Sequence, residues 1–220
     1  MNNFSISGMP RAGSHFLAET LNKSKTWNVK PEVPEDFGPK RAKLSNKQWA
    51  KQVNNRLQKD CYGECASQHL AIWEHINVNK KVCVYRHPYD FWLSTINRRN
   101  DYMDKKFDWM FNVHYKDYYR IINDIATNQP EIMIVKFEDM IKNKELVMDI
   151  AKFVGIPDLS YDDINLRKKV NSAESHKQKH NWTSLNCLTK KRFESLKLHD
   201  SFCKRFYGNS INMRHEEKIK

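Results

Sequence analysis

The chain has 220 residues, 40% of them hydrophobic and 12% aromatic, which excludes a disordered chain and is enough for one globular domain with a sizeable core. Its net charge of +12 points to an anionic partner: a nucleic acid, an acidic membrane surface or an anionic small molecule. No run approaches the ~20 apolar residues of a membrane span, and no basic-then-apolar leader opens the chain, so a cytoplasmic protein is expected. Cys61, Cys65, Cys83, Cys187 and Cys203 are dispersed without a C-x-x-C pair, which reads as reduced thiols and not as a zinc site.

The first readable element is Phe4-Ser5-Ile6-Ser7, whose alternation predicts a half-buried strand. Gly8 and Gly13 bracket a loop, and Phe16, Leu17, Thr20 and Leu21 then share one helical face. A strand, a glycine-bearing turn and a helix aim backbone N–H groups and the positive end of the helix at one point, which suits a phosphate. Gly8-x4-Gly13 has the spacing of a nucleotide-binding loop, but Ser14-His15 stand where a Walker A motif carries Lys-Ser/Thr.

Residues 23–60 change character. Pro31, Pro34, Gly38 and Pro39 break regular structure, and a polar helix is expected over 46–58, with Trp49, Val53 and Leu57 four apart. An irregular insert beside a phosphate loop is a natural place for substrate contacts. A strand over 61–66 ends at Glu64, and a short helix runs from His69 to Ile76. Lys81 to Tyr85 form a buried strand that Arg86-His87-Pro88 ends, and Pro88 opens a helix to about Arg99. Residues 106–127 carry Phe107, Trp109, Phe111, Tyr115, Tyr118 and Tyr119 on one long helix, read as core. A strand over 132–137 and a helix over 139–153 follow, the latter ended by Gly155 and Pro157. After a polar, irregular 158–188, a last helix covers 189–206. Strands alternating with helices predict one α/β domain, a P-loop-like nucleotide-binding fold with a central, mainly parallel sheet flanked by helices. Ligands of such sheets sit outside the carboxyl ends of the strands, where Gly8–Ser14, Arg86 and Glu64 are expected to meet.

Arg86-His87-Pro88-Tyr89-Asp90 followed by Ser94 is a second anion signal: an arginine at a strand end and a serine about two turns into the next helix. With both signals in view, the chain resembles the sulfotransferases that use 3′-phosphoadenosine 5′-phosphosulfate (PAPS). Gly8-Met9-Pro10-Arg11-Ala12-Gly13-Ser14 resembles that family's 5′-phosphosulfate loop, and Arg86 to Ser94 its 3′-phosphate motif. Gly63-Glu64-Cys65-Ala66-Ser67-Gln68-His69-Leu70, Val135-Lys136-Phe137-Glu138-Asp139-Met140 and Phe153-Val154-Gly155-Ile156-Pro157 resemble further family segments in the expected order.

The resemblance implies transfer of a sulfonate from PAPS to a hydroxyl or amine of an acceptor, with adenosine 3′,5′-bisphosphate (PAP) as product and no metal. Arg11 would stabilise the leaving group. Ala12, Gly13, Ser14 and His15 would offer N–H groups to the 5′-phosphate, and Phe16 stands where some members stack an aromatic on adenine. Arg86 and Ser94 would hold the 3′-phosphate, with Lys177 and Lys179 on a closing basic loop. Glu64 resembles the catalytic carboxylate of the carbohydrate-modifying branch, and His69 lies near the histidine of the cytosolic small-molecule branch. His15, in place of a common hydroxyl residue, would help position the sulfonate. Cys65 replaces the usual lysine. Two other classes fit less of the chain: a P-loop kinase of a small metabolite, which lacks its lysine, and a non-enzymatic basic nucleic-acid-binding protein, which lacks a zinc-finger or RNP-like motif.

Overall fold

A computed structural model of the chain describes residues 2–36, 41–91, 94, 116–166 and 200–208. Within them, β1 (Asn3–Gly8), β2 (Asn28–Lys30), β3 (Tyr62–Cys65), β4 (Lys80–Tyr85) and β5 (Met133–Lys136) form a parallel sheet in the order β2-β3-β1-β4-β5. Helices α1 (Ser14–Leu21), α2 (Asn46–Leu57), α3 (Lys116–Asn128), α4 (Phe137–Met140), α5 (Lys144–Val154) and α6 (Asp200–Tyr207) accompany it, with a 3-10 segment at Ser67–His75. The α/β architecture with a parallel sheet is thus as expected. All five strands run the same way, so the segments that leave β1, β2 and β3 emerge at one edge.

The chain divides into two compact units, Met1–Tyr85 with Asp124–Asn171, and Arg86–Asn123 with Ser172–Lys220. The first holds the whole sheet. There α1 buries Phe16, Leu17, Ala18, Thr20 and Leu21, and α5 buries Val147, Ile150, Ala151 and Val154. Trp49, Ala50, Val53 and Leu57 of α2 pack with Tyr62, Ile72 and Ile76. In the second unit Tyr119 meets the Phe202 ring edge-on at 4.8 Å, and Tyr118 and Tyr119 are buried, as expected of the aromatic stretch; Phe107, Trp109, Phe111 and Tyr115 lie outside the described residues.

Local sequence accounts for the boundaries. Ser45 opens α2 with a capping box, its hydroxyl accepting from the Gln48 N–H while the Gln48 side chain accepts from the Ser45 N–H. The helix expected over 139–153 is two helices, because Asn143 is extended and its side chain caps the N–H groups of Glu145 and Leu146. Gly155, left-handed at φ 88°, ends α5.

β1 departs from the half-buried pattern. All six of its residues are buried, since it is the middle strand. Ser7 Oγ donates to the Ala66 carbonyl at 3.0 Å, and Ser5 Oγ lies 3.4 Å from His69 Nδ1. Buried hydroxyls that find partners cost little, so alternation at this strand does not report exposure. The stretch 69–76 is a 3-10 segment that starts earlier, at Ser67, and is kinked at Ile72. β2 escaped the sequence reading; only Val29 of its three residues is buried, too short a pattern to show a period. Residues 1, 37–40, 92, 93, 95–115, 167–199 and 209–220 lie outside the described residues, and with them Gly38, Pro39, Cys187, the expected Lys177 and Lys179, and parts of the helices expected from Pro88 to about Arg99, over 106–127 and over 189–206.

Candidate functional site

The loop after β1 is shaped by two close approaches. Gly8 sits at φ 153°, and a Cβ there would lie 1.8 Å from the Val84 carbonyl oxygen; the neighbouring Met9 N–H donates to that same oxygen at 2.9 Å. Gly13, at φ 85°, is the N-cap of α1 and lies against Phe137 and Met140. Between them Arg11 is itself left-handed at φ 63°, a conformation that costs a non-glycine residue roughly 1–2 kcal/mol. Strain held in a loop at the carboxyl edge of a parallel sheet is a marker of function. Gly13 has no side chain with which to cap α1, and the first turn of the helix carries no acidic residue of its own, which leaves its positive end suited to an anion. Arg11, Ala12, Gly13, Ser14, His15 and Phe16 are therefore gathered in one turn. Ala12 is buried and Phe16 is 9% exposed in the core, while Ser14 and His15 are partly exposed.

Glu64 and His69 are brought together. Glu64 is the third of the four residues of β3, paired with Ser5 of β1 and with Lys30, the last residue of β2, so the strand ends one residue later than expected, at Cys65. It is fully buried, as is His69. Arg56 donates to both carboxylate oxygens, Nε to Oε1 at 2.9 Å and Nη2 to Oε2 at 3.1 Å, and the Tyr62 hydroxyl adds a bond to Oε1 at 3.0 Å. Arg56 Nη2 also donates to Asp36 Oδ2 at 2.7 Å, and Trp49 Nε1 to Asp36 Oδ1 at 2.7 Å. His69 Nε2 stands 3.1 Å from Asp36 Oδ2 and 3.5 Å from Glu64 Oε2.

These residues form a buried charge network closed by one guanidinium. Burial by itself would lower the Arg56 affinity for its proton, but Glu64 and Asp36 raise it well above the ordinary value. Burial and the Glu64 carboxylate likewise push the Tyr62 phenol up. Asp36, Glu64 and His69 offer ligand atoms within 4.8 Å of one another, but Arg56 already bridges the two carboxylates, so a cation would have to displace a guanidinium. Sequence reading missed Asp36 and Arg56. The available signal was Arg56 itself, seven residues from Trp49 and three from Val53, hence a charged group on the apolar face of α2.

Asp36 carries a pH signature. Burial would raise its carboxyl, but hydrogen bonds from His69 and Trp49 and the Arg56 charge outweigh that and hold it below its ordinary 3.8. A depressed folded-state value adds stability that is complete above the unfolded value and is lost as pH falls through the folded one. The stability gap between wild type and Asp36→Asn is therefore expected to narrow as pH falls from about 5 to about 3, read by urea unfolding. A gap constant over that range would show that the carboxylate is not held by these partners.

A second carboxylate, also missed, stands at the sheet edge. Glu32 is the second residue after β2; its Oε1 accepts from Ser67 Oγ at 2.8 Å, and its Oε2 lies 3.4 Å from His15 Nε2. In the second unit, Arg86 follows the end of β4, residues 88–91 are helical, and Ser94 is helical and partly buried. His87 accepts the Tyr89 N–H on Nδ1 at 3.2 Å, and its ring packs edge-on to Tyr207 at 4.6 Å. The described cysteines, Cys61, Cys65, Cys83 and Cys203, form no disulfide among themselves, and burial pushes the Cys83 thiol up to about 12.

No family model and no curated protein sequence matches the chain. Solved structures do. A sulfotransferase from Alicyclobacillus acidocaldarius superposes with a TM-score of 0.58 at 14% identity, over 97% of this chain and 98% of that one. The sulfotransferase domain of the Synechococcus PCC 7002 olefin synthase gives 0.56 at 15% identity, over 92% and 94%. A mouse sulfotransferase complexed with PAP gives 0.53 at 12% identity, over 98% and 88%. The chain has a sulfotransferase-like fold. Among the described residues no helix is long and apolar enough to cross a membrane.

Proposed function

We propose that this protein is a PAPS-dependent sulfotransferase acting on a hydroxyl or amine. The observation that carries the reading is the strained, uncapped turn Gly8–Ser14 at the carboxyl edge of a parallel sheet, in a chain with a sulfotransferase-like fold. In it the N–H groups of Ala12, Gly13, Ser14 and His15 bind the 5′-phosphate, and Ser14 adds a hydroxyl. Arg11 stabilises the charge that builds on the bridging oxygen as the sulfonate departs. Phe16 serves the helix core and lies beside the adenine end. Arg86 and Ser94, with Lys177 and Lys179, bind the 3′-phosphate. A sulfonate carries less charge than a terminal phosphoryl group, so fixed cations and N–H donors suffice without the Walker A lysine.

Glu64, His69 and His15 are the groups to which the resemblance gives proton transfer or positioning. Glu64 and His69 are wholly buried with their polar atoms engaged, whereas the His15 side chain is 37% exposed. This difference favours a supporting role for the first two.

PAP at about one hundred times its Kd is expected to stabilise the protein by about 2.7 kcal/mol, a rise in Tm of roughly 5–10 °C for a chain of this size. AMP, without the 3′-phosphate, should give a much smaller rise. Arg86→Ala should remove most of the difference between the two ligands. Equal shifts with PAP and AMP would overturn the 3′-phosphate assignment, and no shift with PAP would overturn the functional reading.

A further inference from the structure

Three parallel strands deliver their next residues to one edge: β1 the loop Met9–Gly13, β2 the pair Pro31 and Glu32, β3 the pair Ala66 and Ser67. Ser7, one residue before Gly8, bonds through its hydroxyl to the carbonyls of Ala66 at 3.0 Å and Ser67 at 3.2 Å. Ser67 is thereby tied to β1, and its own hydroxyl holds Glu32 Oε1 at 2.8 Å. The other oxygen of that carboxylate faces Nε2 of His15, the second residue of α1. The two side chains are 37% and 26% exposed, open enough to meet a ligand and sheltered enough to limit screening by water.

We infer that Glu32 is a positioning residue of the transfer reaction, holding His15 so that its imidazole takes the proton of the attacking hydroxyl or amine. The inference rests on the sulfotransferase reading above. A hydrogen on Nε2 donated to Glu32 Oε2 fixes the tautomer and leaves the Nδ1 lone pair for the acceptor. The acceptor atom then bonds to sulfur while the sulfur–oxygen bond to the 5′-phosphate breaks. PAP leaves with that electron pair, and the acceptor's proton passes to Nδ1. The imidazolium so formed is steadied by the Glu32 carboxylate, and releases its proton to water after the product leaves. The other charged groups near His15 in sequence are Arg11 in the loop and Glu19 one turn along α1. Both oxygens of Glu64, by contrast, are held by Arg56.

The test needs no knowledge of the acceptor, because water can stand for its hydroxyl. With radiolabelled PAPS, sulfate release by the wild type is expected to exceed the buffer rate. Glu32→Gln should lower kcat about 10- to 100-fold with KM for PAPS within about twofold, and Glu32→Asp should restore part of the rate. Nitrogen-15 spectra of the His15 ring should show the Nε2–H tautomer in the wild type and a mixture in Glu32→Ala, which removes the acceptor atom. The PAP-induced rise in Tm should survive in Glu32→Gln, separating positioning from donor binding. An unchanged kcat in Glu32→Gln, an unchanged tautomer in Glu32→Ala, or sulfate release no faster than in buffer from a wild type that binds PAP would each overturn this inference alone. A wild type that does not bind PAP overturns the functional reading beneath it, and the inference with it.

Discussion

Arg56→Met is expected to destabilise the protein by about 3 kcal/mol, the low end of the range for removing one partner of a buried ion pair. The reason lies in what is left behind. Asp36 and Glu64 are 1% and 0% exposed, and Arg56, at 22%, is the cation that both carboxylates share. Methionine fills similar volume along the stem but returns no hydrogen bond, so two carboxylates stay desolvated with one fixed charge fewer. Urea unfolding at neutral pH measures the loss. Neutralising the acids in the same background, as Arg56→Met with Asp36→Asn and Glu64→Gln, should recover part of it, because an uncharged site no longer needs the guanidinium. A single-variant loss below about 1 kcal/mol would mean that water, not Arg56, solvates these acids.

Gly8→Ala should be more damaging than Gly13→Ala, by both stability and PAP binding. At Gly8 a methyl would sit 1.8 Å from the Val84 carbonyl oxygen and 2.6 Å from its carbon, both backbone atoms of β4. Relief requires parting β1 from β4 where Met9 N–H bonds that same oxygen, and a loss of at least about 3 kcal/mol is expected, among the large single-substitution effects. At Gly13 the nearest atom is the Met140 Cε methyl at 2.8 Å, the end of a flexible side chain that can shift. The Phe137 ring edge, at 3.0 and 3.2 Å, must also give by a few tenths of an ångström, and the left-handed backbone at φ 85° adds about 1–2 kcal/mol for alanine. Thermal unfolding with and without PAP reads both effects. Equal losses at the two positions would show that β1 and β4 are not in such close approach at Gly8.

Much of this was legible in the chain. Ser45 and Gln48 mark the start of α2, and Asn143, read as part of a continuous helix, is in fact a cap of the kind that local sequence encodes. The apolar runs at β4 and β5 and the glycine-bearing turn after β1 follow from periodicity and backbone freedom, which act within a few residues. So does the absence of the Walker A lysine. The buried serines of β1 and the three-residue β2 were not legible, because burial at a middle strand and pairing at an edge depend on neighbours distant in sequence.

The site divides along the same line. Sequence alone determined that Gly8, Arg11, Gly13, Ser14 and His15 share one turn, since they are nearly consecutive. Only the tertiary structure decided what the acidic groups do. Glu64 was read as standing at a strand end; it pairs with Ser5 one residue before the end of β3, and Arg56, from a helix eight residues earlier, closes it off. Glu32 carried no motif at all, yet parallel pairing of β2, β3 and β1 brings it to His15 and Ser67 across gaps of 17 and 35 residues. A carboxylate's role is set by what surrounds it, and those surroundings are assembled by strand order, which no local pattern encodes.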